Sequence, residues 1–218
     1  DDAGCEWNAS LSQPDGSAFS LRNRDASYRA AVEWKHKGRH NVSNALAAAG
    51  LAETVGIPLE RSAAALRDFR GVKRRLELLG CIAGVTVYDD FAHHPTAIEV
   101  TLQGLRAAKA GGRIVAVIEP RSNTMRLGAH RERLPGCTRD ADQVLWYQPP
   151  GVDWDLESVA RESATPSRVF QSTDAIIGAL VAELQPGDQV VIMSNGGFEG
   201  VHRRLLLALE SAVPSRAG

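Results

Sequence analysis

From about residue 76 onward the apolar residues come in short unbroken runs: "GVTVYDD", "RIVAVIEP", "QVLWYQ", "SRVFQ" and "QVVIMSN". Continuous Val and Ile runs predict strands buried on both faces, the mark of a mostly parallel sheet. Between them lie segments with a 3.6-residue spacing: "PTAIEVTLQGLRAAKA", "DLESVARES", "TDAIIGALVAEL" and "GVHRRLLLALESA". Strand alternating with helix predicts an α/β fold, doubly wound, with helices on both faces of the sheet. The earlier part reads differently. Residues 1 to about 35 alternate loosely around the turn signals "QPDGS" and "RNRDAS", and "AFSLR" and "YRAAVEW" read as short antiparallel strands. "GRHNVSNALAAAGLAETVGIP" reads as a helix stopped by "GIP", and "PLERSAAALRDF" as a second, shorter one. The polar, basic "RGVKRRLE" separates the two patterns, so a domain boundary is expected near Gly71, dividing 1–71 from 72–218.

The polar residues gather where the predicted strands end: "DDFAHHP", "EPRSNTMR", "QPP" and "SNGGFEG". In open α/β sheets ligands sit beyond the carboxyl ends of the strands. Asp89, Asp90, His93 and His94 are candidates for chemistry. The alternatives are a helix cap by Asp90 or Thr96 with Pro95 in the first turn, and a metal site, although adjacent histidines point in different directions. The glycine turn "SNGGFEG" suits an anion approached by backbone N–H groups, or is simply a tight turn. Arg121 and Arg126 offer guanidinium forks for carboxylate or phosphate, or a solvated loop. "RHNVSN" brings amides and an imidazole that can read a base edge, or a cap by Asn41 or Ser43.

Composition narrows the partners. The chain has 218 residues, 44% of them hydrophobic, and a formal net charge of -1. Neither nucleic acid nor an anionic membrane is expected as a partner. No apolar run approaches the ~20 residues of a membrane span, and no signal peptide is read. Cys5, Cys81 and Cys137 are scattered in neither a zinc nor a disulfide pattern, so a cytoplasmic location is expected. The first residue is Asp1, and the chain is expected to be a fragment of a longer protein.

Taken together and in order, "GRHNVSNALAA", "GVKRRLE", "DDFAHHPTAI", "EPRSNTMR" and "MSNGGFEGVH" resemble the Mur ligases, which assemble the peptide of peptidoglycan. The resemblance runs from about Asn8 to the C-terminus. It implies that residues 1–71 are the tail, strands plus helices, of a central ATPase domain, and that 72–218 are a C-terminal Rossmann-like domain. It implies an ATP-dependent ligase working through an acyl phosphate, within peptidoglycan recycling. The implied substrates are UDP-N-acetylmuramate and the tripeptide L-Ala-γ-D-Glu-meso-diaminopimelate, with the alanine-adding branch as the alternative. His40, Asn41 and Asn44 are then adenine contacts, Arg75 a phosphate contact and Asp90 a ribose contact. Arg75, Asp90, His93 and His94 are the implied catalytic groups. His93, His94, Arg121, Ser122, Asn123, Arg126, Ser194, Asn195 and Phe198 are the implied acceptor-substrate contacts. The family's G-x-x-G-K-[ST] loop does not occur in the sequence. The groups for ATP phosphates and Mg2+ are therefore expected in N-terminal domains of the same protein, and the fragment alone is expected to be inactive. A non-catalytic nucleotide- or peptide-binding module and a metal-dependent hydrolase on the His–His–Asp cluster are the other readings.

Overall fold

A computed structural model of the protein describes residues 7–23, 29–108, 111–122, 125, 127–152 and 154–212. The chain divides into two compact units, Asp1–Gly71 with Gln103–Ala108, and Val72–Leu102 with Lys109–Gly218.

In the first unit β1 (Asn8–Leu11), β2 (Ala18–Arg22) and β3 (Arg29–Glu33) form an antiparallel meander in chain order. Alternation decides which face is buried: Phe19 and Leu21 on β2 sit opposite Val32 and Ala30 on β3, and all four are in the core. Helices α1 (Arg39–Thr54) and α2 (Leu59–Asp68) supply Val42, Ala45, Ala49, Leu59 and Ala63 to the same cluster. Helix α1 starts earlier than the cap reading of Asn41 or Ser43 supposes. Gly38, at φ 92, is its N-cap with no side-chain cap bond, so both residues lie inside the first turns.

The second unit runs β4 (Glu77–Ile82), β5 (Val85–Asp90), α3 (Pro95–Ala108, whose residues from Gln103 count with the first unit), β6 (Ile114–Ile118), α4 (Leu134–Cys137), β7 (Gln143–Tyr147), α5 (Leu156–Glu162), β8 (Ser167–Phe170), α6 (Thr173–Glu183), β9 (Gln189–Met193) and α7 (Val201–Ala212). Its sheet has the order β4-β5-β9-β6-β7-β8; β4 is antiparallel to β5, and every other pairing is parallel. Val87, Val117, Leu145 and Ile192 face α6 and α7 through Ile176, Leu180, Val201 and Leu205. The alternate residues Ala116, Ile118, Val144, Trp146, Val191 and Met193 point to the other face and are buried too. A mixed α/β fold with a mostly parallel sheet is therefore what the five apolar runs make, and each run is a strand.

The edge strand β4 is not among those runs. Leu78 is 61% exposed, the β4–β5 register shifts between Leu78 and Gly80, and the alternation that would announce a strand is lost. Ile82 pairs with Val85 across a two-residue turn in which Ala83 has φ 52 and Gly84 φ 79. Positive φ at both positions is the type I′ geometry that suits the twist of a hairpin. Gly84 adopts it freely, whereas Ala83 carries a Cβ into the left-handed region at about 1–2 kcal/mol. Ala83→Asn, giving the preferred Asn-Gly pair, should raise stability by about 1 kcal/mol. Urea unfolding of the two proteins measures this, and an unchanged or lower midpoint would contradict the turn assignment.

Candidate active site

Three strands of the second unit end at one level. Asp90 on β5 sits opposite Met193 on β9, and Met193 sits opposite Ile118 on β6. The chain therefore leaves the sheet at three neighbouring points, toward Phe91, Ser194 and Glu119, and the predicted chemistry-bearing loops adjoin.

Asp90 is buried, 3% exposed, and bound to its own chain. Its Oδ2 accepts from Leu76 N–H at 2.7 Å; its Oδ1 accepts from Ala92 N–H at 2.8 Å and from Thr101 Oγ1 at 3.4 Å. Burial pushes its pKa up, opposed by these two amides and by Arg75. The carboxylate shapes the loop, and it does not cap the following helix. That cap is His94: its Nδ1 accepts from Thr96 N–H at 3.3 Å, its carbonyl accepts the first helical bond from Ile98, and Pro95 takes the first position as expected. His94 packs edge-on to His130, with ring centres 4.4 Å apart. Burial, then His130, Arg133 and His93, hold its pKa below the usual imidazole value. His93 makes the opposite use of its ring: Nδ1–H donates to Phe91 O at 2.9 Å.

The entry to the unit is tightly folded. Arg74 and Leu76 have φ 59 and 51, a strained pair flanking Arg75. Arg75 is exposed, with its guanidinium 5.5 Å from the centre of the Phe91 ring. Asp89 accepts from Arg74 Nε at 3.2 Å and lies 3.1 Å from His202 Nε2. Burial would raise the Asp89 pKa, but His202 and Arg74 outweigh it and bring it down.

The glycine loop after β9 is held from inside. Ser194 is fully buried; its Oγ donates to Glu119 and accepts from Gly196 N–H at 2.9 Å. Phe198 is 0% exposed and stacks on Tyr147, with ring centres 5.3 Å apart, in the core cluster. Both side chains are thus turned inward in this structure and support the loop. Asn195 differs: its Oδ1 is buried without a hydrogen-bond partner among the described residues.

The open part of this face is a cleft of about 200 Å³ lined by Glu119, Arg121, Tyr147, Pro149, Pro150 and Glu199. Arg121 is half exposed and lies over Gly196 so closely that a Cβ there would collide with its guanidinium. Glu199 accepts from Tyr147 Oη at 2.8 Å and Thr173 Oγ1 at 2.7 Å. The hydroxyls of Thr173 and Tyr147 hold the Glu199 pKa down, while burial and Glu199 itself push Tyr147 up to about 12. The cleft therefore offers a guanidinium and fixed carboxylates within one opening. Sequence reasoning passed over Glu119, Tyr147 and Glu199, although Glu119 and Glu199 stand in quoted strand-exit motifs. Ser122 is half buried, and its Oγ accepts from Met125 N–H at 3.4 Å. Asn123 and Arg126 lie outside the described residues.

In the first unit, Asn44 is exposed on α1 one turn after His40 and three residues after Asn41. The Asn41 Nδ2 donates to Lys37 O at 2.7 Å, which leaves its Oδ1 as the amide's acceptor.

Comparison with known proteins places this arrangement. The family model for the Mur ligase, glutamate ligase domain matches residues 74–196, more than half of the chain. The chain belongs to the Mur ligase family. It is similar to the UDP-N-acetylmuramate–L-alanyl-γ-D-glutamyl-meso-2,6-diaminoheptandioate ligases of Haemophilus influenzae, 40% identical, and Escherichia coli, 43% identical; both matches cover 92% of this chain and 44% of the relative. It thus spans under half the length of the curated relatives it matches. Among solved structures, a murein peptide ligase from Psychrobacter arcticus is 43% identical with TM-score 0.72, over 96% of this chain and 45% of that one. The UDP-N-acetylmuramate–alanine ligase of Thermotoga maritima, 20% identical with TM-score 0.77 over 95% of this chain and 46% of that one, shares the fold.

Two outcomes follow from the carboxylate and the cap. Asp90→Asn should destabilise the chain by about 1–3 kcal/mol, because either orientation of the amide sets its NH2 against Leu76 or Ala92 N–H; an unchanged denaturation midpoint would contradict the assigned bonds. Protonating His94 removes its cap acceptor. Its folded pKa is lowered, so stability should be full above about pH 6.5 and decline as pH falls below it. His94→Asn, which caps without titrating, should flatten that limb in melts between pH 7 and 5.

Proposed function

We propose that this chain is the C-terminal part of an ATP-dependent ligase that joins L-Ala-γ-D-Glu-meso-diaminopimelate to UDP-N-acetylmuramate in peptidoglycan recycling. Residues 1–71 are proposed as the tail of the central ATP-binding domain and 72–218 as the C-terminal domain, in a cytoplasmic enzyme. The observation that carries the reading is the identity of 40–43% to two ligases named for this tripeptide, against 32–37% for six curated alanine ligases.

The chemistry is carboxylate activation by ATP followed by attack of an amine. ATP supplies the phosphoryl group that activates the carboxylate. His40, Asn41 and Asn44 would hold adenine and Arg75 phosphate charge; the exposure of Arg75 and Asn44 fits such contacts. Asp90 has one unfilled lone-pair direction on Oδ2 for a ribose hydroxyl, since Leu76 takes only one. Mg2+ ligands would lie in a part of the protein outside this sequence. His93 and His94 keep their Nε2 atoms for the acceptor, with opposite tautomers.

The far end of diaminopimelate carries a carboxylate and an ammonium. The cleft supports its recognition: Arg121 matches the carboxylate as a fork, and Glu119 and Glu199 supply the negative charge that an ammonium needs. Asn195, whose buried Oδ1 has no partner among the described residues, stands four residues before Glu199 in sequence. Binding here is positioning, which brings the amine to the activated carbonyl.

In the full-length enzyme, Arg121→Lys should lower kcat/KM for the tripeptide roughly tenfold, about 1.4 kcal/mol, and leave the KM for ATP nearly unchanged. The isolated 218-residue chain should ligate nothing. Steady-state kinetics with tripeptide and with L-alanine as competing acceptors decides the reading: preference for L-alanine would make this an alanine ligase. Full activity of the lysine variant would remove Arg121 from the acceptor site.

A further inference from the structure

We infer that Arg74, the neighbour of the arginine that sequence reasoning chose, is the residue that positions the loop of residues 194–197 for the acceptor. The inference rests on the ligase reading above. Its physical basis is one guanidinium spanning two loops. Nη2 donates to Ser194 O at 2.5 Å and to Gly196 O at 2.9 Å, and Nε donates to Asp89 Oδ2 at 3.2 Å. The same group lies 5.2 Å from the centre of the Phe91 ring. Its backbone is fixed as firmly: Arg74 N–H donates to Glu77 Oε2 at 2.8 Å, and its carbonyl accepts from Phe91 N–H at 2.7 Å.

The two carbonyls that Arg74 binds bracket Asn195, so Arg74, together with the Ser194 hydroxyl on Gly196 N–H, sets the path of the main chain through Asn195. Asn195 carries a buried Oδ1 with no hydrogen-bond partner among the described residues. Arg121 covers Gly196, the second of the two residues whose carbonyls Arg74 holds. Loss of the Arg74 clamp therefore displaces both Asn195 and the surface on which Arg121 rests. Arg74 itself is not in the cleft and touches none of the cleft-lining residues through the bonds above. It acts through the loop, as a positioning residue.

Charge alone does not explain the arrangement. A lysine would keep a cation beside Asp89 and Phe91, but a single ammonium cannot reproduce the planar fork that serves two carbonyls and a carboxylate. This separates positioning from mere stability. In the full-length enzyme, Arg74→Lys should keep a melting temperature close to the parent. Its kcat/KM for the tripeptide should fall at least tenfold, while the KM for ATP stays within about twofold. Amide hydrogen exchange should accelerate at residues 195–197 and be unchanged in β5 and β9. Where the lysine variant does not fold, Arg74→Gln, which keeps one amide donor, is read by the same two measurements.

Unchanged peptide kinetics in a folded variant overturns the inference. So does a kinetic loss with unchanged exchange at 195–197, because the effect would not then pass through the loop. A parent enzyme that ligates no tripeptide would sink the ligase reading instead, and the exchange measurement alone would then decide whether Arg74 holds the loop.

Discussion

The common level at which β5, β9 and β6 end is the constraint on which the candidate site depends. The ladder does not stop at the strands: Ser194 N–H donates to Asp90 O at 3.1 Å, and Glu119 N–H donates to Met193 O at 3.0 Å. These two bonds stitch three outgoing loops together before any side chain acts. Slipping a strand by one residue would turn every buried valine and isoleucine to the opposite face. Because the strands are buried on both sides, the core fixes the register, and the register fixes where the loops begin. Function is thus built on packing at one remove.

Carboxylates along this face are sorted by what surrounds them. Asp90 is buried and accepts from two backbone N–H groups; Asp89, beside it, accepts from Arg74 and lies against His202. Glu119 is 3% exposed and lines the cleft, while Glu199 is exposed and held by hydroxyls. The same logic appears at the other end of the sheet, where Asp188 accepts from Arg113 at 2.6 Å and from Arg113 and Gln185 N–H. There the charge only closes the structure. A carboxylate that accepts from main-chain amides organises a loop, and one at the rim, as Glu199 is, stands exposed.

Much of this was legible in the sequence, for a physical reason: a parallel sheet needs continuous apolar strands, and five such runs are present. The edge strand β4 was not, because one of its faces is open and Leu78, Gly80 and Cys81 follow no period. The candidate face follows from the rule that ligands sit beyond strand ends, and the motifs quoted there adjoin in the structure. Individual roles were harder. Asp90 and Thr96 both look like helix caps in the sequence, but a histidine took the cap, because the chain reverses after Asp90 and the helix begins only at Pro95. Phe198 looks like a residue of an open loop, yet positive φ at Phe198 and Glu199 turns the ring into the core and the carboxylate out. Such left-handed turns in non-glycine residues leave no mark in composition or period.

The two adjacent histidines show how far a local pattern can carry a chemical argument. An imidazole that accepts at Nδ1 must, when neutral, carry its proton on Nε2; one that donates at Nδ1 presents Nε2 as an acceptor. His94 accepts from Thr96 N–H, and His93 donates to Phe91 O. Neighbours in sequence therefore differ in the edge they offer: one a donor, the other an acceptor. The difference is imposed by the turn, since His94 must serve the open N-terminus of α3 while His93 folds back on the main chain. One proline-terminated turn thereby converts a repeated residue into two chemically distinct groups, which a single histidine or a pair on one helix face would not provide.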